Sequence, residues 1–136
     1  EDVFTIPAVL RQARCILRSD KGLYYYCSRQ GSISNTFCDK GINDLLQANL
    51  MLYHTLSDNT DLSEQDLDEA YLHLCDHQIM RIQFGGYLCI PERKIPLHRA
   101  LFTPRPLNYR IKAILKALSG NHYCSIVART RKVLKR

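Results

Sequence analysis

Two histidines, His73 and His77, stand four residues apart with Cys75 and Asp76 between them. On a helix that spacing turns both imidazoles to one side, where they could grip a zinc ion if two further ligands joined them. The stretch lacks the glutamate of a zinc-protease helix, and nothing else in the sequence marks a third ligand. Two histidines on an ordinary polar helix face are the preferred reading, and no metal is expected. His122 and Cys124 pair a base with a nucleophile by type alone. Residues two apart share only the face of a strand, and no oxyanion-hole motif accompanies them. Gly85-Gly86 lacks the further glycines and the Lys-Ser/Thr of a phosphate loop. Tyr24-Tyr25-Tyr26 reads as core or interface rather than as a binding cage. None of these constellations supports an enzyme, and no cofactor is expected.

The six cysteines, at 15, 27, 38, 75, 89 and 124, are too widely spaced for a zinc ribbon or a redox pair. Six cysteines allow fifteen disulfide pairings, yet Cys15 and Cys75 fall within apolar helical patterns, where a free cysteine behaves as a small buried hydrophobe. Reduced, structural cysteines are the expectation.

Those side chains need a scaffold, and the composition supplies one. At 136 residues the chain suits a single domain, 1–136, and 46% apolar with 24% charged residues is ordinary for a packed fold. The uncharged stretch 45–57 is too short to cross a bilayer, so no transmembrane span is expected. The opening Glu-Asp-Val-Phe is neither a secretory signal nor a basic presequence.

Apolar residues recur at helical spacing in several places. Residues 7–19 carry Val9, Leu10, Ala13, Ile16 and Leu17 on one face, with Pro7 suited to a first turn. Residues 42–57 carry Ile42, Leu45, Leu46, Leu50, Tyr53 and Leu56. A third helix opens near Asp61 or Ser63, either of which can cap it, and runs through Leu67, Tyr71, Leu74, Ile79 and Ile82 to Gly85-Gly86. A short helix at 97–102 and a strong one at 107–118, apolar at Ile111, Ile114, Leu115 and Leu118, complete the set. No element is assigned after Gly120. The expected fold is all-α, with four or five helices and an extended Gly/Pro-bounded segment at about 85–106. That segment leaves Tyr87, Leu88, Ile90 and Ile95 without periodic cover, so they are expected to face partners.

Charge divides the chain. No Lys or Arg lies between Gly41 and Met80, and no acid follows Glu92, although the net charge is +6. The two halves either neutralise each other within the fold or face partners of opposite sign. An acidic protein surface and anionic lipid head groups suit the basic half best. Nucleic acid suits it least, because the aromatics do not alternate with the basic residues as a stacking platform requires.

Residues 66–110 resemble the family of subunit 7 of respiratory complex III, the ubiquinol–cytochrome c reductase binding proteins. The resemblance is carried by the acidic helix start DLDEAYLHL at 66–74, by Arg81-Ile82 followed by Ile95-Pro96, and by Asn108-Tyr109 before a helix. The chain departs from the family in having Leu74-Cys75 where the family has Leu-Pro, and in having no tryptophan. The resemblance implies a non-catalytic, all-helical accessory subunit on the matrix side of the mitochondrial inner membrane. Such a subunit has no redox centre, packs against other subunits of the complex, and supports assembly and electron transport. By charge and position, Arg81, Arg93, Arg99 and Arg105 are then candidate contacts, joined by the basic tail Arg129, Arg131, Lys132, Lys135 and Arg136. The alternatives are a nucleic-acid- or ribosome-associated module and a secreted, disulfide-bonded helical ligand.

Overall fold

The structure is a computed structural model that describes residues 2–15, 17, 20, 21 and 38–134. Its elements are α1 (Asp2–Gln12), α2 (Asp39–Ser57), α3 (Glu64–Gln83), α4 (Leu97–Phe102), α5 (Leu107–Ser119) and α6 (Tyr123–Leu134). A 3-10 turn, Gly120–His122, joins α5 to α6, and there is no strand among the described residues. The all-α fold expected from spacing is the fold observed.

α2 and α3 form a helical hairpin around which the rest packs. Leu46 and Tyr53 of α2 meet Tyr71, Leu74, Cys75 and Ile79 of α3 in the buried core. α6 covers the other side of α3 with Tyr123, Cys124 and Ala128. Ser63 caps α3: its hydroxyl accepts from the Asp66 amide at 3.2 Å and donates to the Asp66 carboxylate at 2.6 Å. A cap of this kind contributes about 1 kcal/mol.

The two glycines at the end of α3 form a Schellman closure. The Gly86 amide donates to the Arg81 carbonyl and the Gly85 amide to the Ile82 carbonyl. Gly85 takes φ +81°, a left-handed conformation that a side chain resists. A Cβ at Gly86 would lie 1.9 Å from the Arg81 guanidinium carbon. The chain then turns back along α3 as an extended stretch. Gln78 Nε2 donates to the Leu88 carbonyl at 2.9 Å, fastening it there.

Four expectations need correction. Ile95 is buried, and Leu88 and Ile90 pack against the core, so of the four residues expected to face partners only Tyr87 is left exposed. The stretch lies on α3, and tertiary packing replaces the periodic cover it lacks. α1 begins five residues before Pro7 and ends at Gln12, and its Val9 and Leu10 are exposed. Pro7 therefore sits inside the helix, where its missing N–H interrupts the ladder. Cys15 follows the end of α1 and is exposed, whereas Cys75 is fully buried as expected. Beyond Gly120 the chain forms α6. Its signal is the helical spacing of Tyr123, Cys124, Val127 and Ala128, hidden when His122 and Cys124 are compared at the spacing of a strand. Tyr24–Tyr26, Cys27, Lys135 and Arg136 lie outside the described residues.

Candidate interaction surface

The acidic and basic halves of the sequence meet on α3. Asp68 is 1% exposed, a carboxylate that burial would destabilise without partners. Two arginines meet it. Arg93 Nε donates to one oxygen at 2.6 Å and Arg99 Nε to the other at 2.5 Å. Both guanidinium groups also reach Glu64, at 2.7 and 3.3 Å. Burial works against the Arg93 charge, but the hydrogen bond to Asp68 and the charges of Asp68 and Glu64 outweigh it and raise its pKa. Asp66 and Glu69, flanking Asp68, are bridged by Arg105 at 2.8 and 2.9 Å, and further along α3 Lys112 Nζ lies 2.5 Å from Asp76. The Ser63 hydroxyl is the main group holding the Asp66 carboxyl below its ordinary pKa, with help from Arg105. Arg81 pairs with Asp39 at the start of α2.

Arg81, Arg93, Arg99 and Arg105 are therefore engaged within the chain: Arg81 ties α3 to α2, and Arg93, Arg99 and Arg105 join the extended segment, α4 and the α4–α5 turn to the hairpin. Arg129, Arg131 and Lys132 differ from them: they lie exposed along α6. His73 and His77 do come together, with ring centroids 4.9 Å apart. Burial, followed by the neighbouring His73 charge, lowers the pKa of His77. Among the described residues no group of three or more His, Cys, Asp or Glu could hold a metal ion. Asp76, between the two histidines in sequence, is paired with Lys112. His122 is exposed in the 3-10 turn while Cys124 is buried.

What spacing alone did not reveal is which way α5 faces. Ile111, Leu115 and Leu118 share a stripe with Leu107, and this stripe points outward. Leu107 and Leu118 are each 70% exposed, and the inward positions are Ala113 and Lys116, with Tyr109 and Ile114 packed against the core beside them. α4 packs beside α5 and adds exposed Leu97, Leu101 and Phe102, the last 84% exposed. Scattered exposed leucines are normal, but seven large apolar side chains on two adjoining helices form a patch of the kind used for docking. α4, α5 and α6 contribute no carboxylate side chain, and the basic groups of α4 and α5 are engaged inside the fold, Arg99 by Asp68, Arg110 by the Leu101 carbonyl, Lys112 by Asp76 and Lys116 by the Gly120 carbonyl.

Two open clefts accompany the patch. One, of about 560 Å³, lies between α2, α3 and α5 and is lined by Leu52, Leu56, His73, Asp76, Tyr109 and Lys112. The other, of about 680 Å³, runs between α1 and the end of α2. Neither gathers a nucleophile with a base. No helix of the described residues is long and apolar enough to cross a membrane. Comparison with protein-family models, with curated proteins and with solved structures finds no match for this chain.

Proposed function

We propose that this chain is a non-catalytic accessory subunit that docks into a larger protein assembly through the outer face of α4 and α5. The observation that carries this reading is the Leu107, Ile111, Leu115 and Leu118 stripe, turned away from the chain's own core. Fully covering one such side chain is worth about 1.5–3 kcal/mol, which supplies the drive for association. The occupant is a protein surface with an apolar centre, because the side chains it must cover are themselves apolar. Exposed Arg129, Arg131 and Lys132 on α6 add a second, electrostatic contact. Each such contact is weak alone, roughly 0.2–1 kcal/mol.

The setting is supported by the sequence resemblance of residues 66–110 to subunit 7 of respiratory complex III. On that basis the assembly is a respiratory complex of the mitochondrial inner membrane, with this subunit peripheral on the matrix side. The test is native purification of the tagged chain beside an Ile111→Glu/Leu115→Glu variant. Wild type is expected to elute with the subunits of a respiratory complex and the variant alone. Elution of wild type as a free monomer ends the accessory-subunit reading, and elution with a different assembly ends the complex III setting.

A further inference from the structure

Behind the docking face lies a cavity of about 140 Å³ between α3, the extended segment, and the α5–α6 junction. Its lining includes Gln78, Lys116 and Cys124, each strongly buried. Cys124 sits on α6 against Cys75 of α3, with its sulfur 3.9 Å from the Cys75 carbonyl oxygen. Lys116 Nζ donates to the Gly120 carbonyl at 2.8 Å and stands 5.2 Å from the centre of the Tyr71 ring. Gln78 is 1% exposed. Its Nε2 is committed to the Leu88 carbonyl, which fixes the amide orientation, and its Oε1 has no partner. A buried acceptor without a donor is costly, on the order of 1–3 kcal/mol, so this site suits a small molecule that carries O–H groups.

We propose that Cys124 is a peroxide-reactive thiol and that Cys75 is its resolving partner. Hydrogen peroxide is small enough for the cavity and brings the O–H donor that Gln78 Oε1 lacks. The hydrogen bond from the Cys75 thiol, with the positive charge of Lys116, lowers the Cys124 pKa against the opposing effect of burial. The Cys75 pKa is raised by its hydrogen bond with Cys124 and by burial. The nucleophile is Cys124, because of the two thiols it is the one that lines the cavity where the peroxide enters, and the thiolate is the attacking form.

Its sulfur forms a bond to one peroxide oxygen and the O–O bond breaks. The departing hydroxide, stabilised by the positive charge of Lys116, leaves as water once protonated. Cys124 becomes a sulfenic acid, oxidised by two electrons, and peroxide is reduced. The Cys75 sulfur then attacks Cys124, the S–S bond forms, the S–O bond breaks, and hydroxide departs with the Cys75 proton as a second water. Two thiols and one peroxide yield one disulfide and two waters, and α3 becomes covalently joined to α6.

The test is exposure of the reduced full chain to stoichiometric hydrogen peroxide, followed by alkylation and disulfide mapping by mass spectrometry. A Cys75–Cys124 linked peptide is expected, formed before exposed Cys15, Cys38 and Cys89 are oxidised. In Cys75→Ser, dimedone is expected to trap a sulfenic acid at Cys124. In Lys116→Gln, checked for retained helicity, oxidation of Cys124 is expected to slow on the order of ten-fold. Oxidation of the exposed cysteines while Cys124 stays reduced, or a Cys89–Cys124 link in place of Cys75–Cys124, overturns the proposal. An unchanged rate in a folded Lys116→Gln chain does the same for the lysine-assisted step.

Discussion

α3 and α5 are both amphipathic helices by spacing, and the fold treats them in opposite ways. α3 is enclosed on several sides, to the point of burying Asp68 and Gln78 along with its leucines. α5 turns its richest apolar stripe to the outside and points Ala113 and Lys116 inward. The difference lies in what each helix can be paired with. α3 carries a row of acids that the later segment answers with arginines, so even its charged side can be covered. The outer side of α5 has no partner within the described residues. Periodicity tells which residues share a face, but long-range pairing decides whether that face is inside.

The sharpest way to break the α3 side is to remove its central charge. Asp68→Ala leaves Arg93 and Arg99 without their buried partner, although Glu64 still reaches both guanidinium groups. Breaking a buried pair from one side costs roughly 3–5 kcal/mol, to be read from chemical denaturation. An Asp68→Ala chain as stable as wild type would mean that the ion pairs do not hold the halves together. Next in size is Gly85→Ala, which forces a side chain onto φ +81° at the helix end. A loss of about 1–2 kcal/mol is expected, and one near zero would dissolve the Schellman closure as described.

Acid should weaken the hairpin more gently. The folded state lowers the pKa of His77, so folding favours its neutral form. Its contribution is whole above its unfolded value of about 6.5 and is lost as pH falls from there through the folded pKa. The exposed carboxyl of Asp66, also lowered, loses its contribution further down, below the ordinary carboxylate range. Thermal melts across this range should show a shallower decline near pH 6 in His77→Gln than in wild type. Equal slopes would remove His77 from the account.

The smallest effect belongs to the α5 side. Ile111→Glu/Leu115→Glu should change the stability of the isolated chain by no more than about 0.5 kcal/mol per site. A large destabilisation by these two substitutions would show that the stripe is part of the core after all.

Much of this was legible in the residues. Spacing placed α3, the short α4 and α5 to within a residue or two and α2 to within three, and Ser63 was one of two named caps. The division of charge was visible too, but its partners were not. Arg93 and Arg99 reach back 25 and 31 residues to Asp68, and no local pattern selects that carboxylate over its neighbours. The same limit hid the outward turn of α5. Ile111, Leu115 and Leu118 look like core because nothing nearby says that Ala113 and Lys116 take the inner position. The cover over Leu88, Ile90 and Ile95 was missed because it comes from a helix rather than from their own alternation.

The glycine pair that ends α3 has one more consequence. Among the described residues, the ion pairs that Arg93, Arg99, Arg105 and Lys112 make with α3 all cross Gly85-Gly86, while Arg81–Asp39 lies on one side of it. The hairpin before that point and the three helices after it recognise each other as two molecules would. The peptide bond between them supplies proximity, in effect a high local concentration, rather than the recognition itself. A chain opened at Gly85-Gly86 has the makings of a split pair, two fragments that find each other in solution by charge and close over a shared core, more weakly as salt rises.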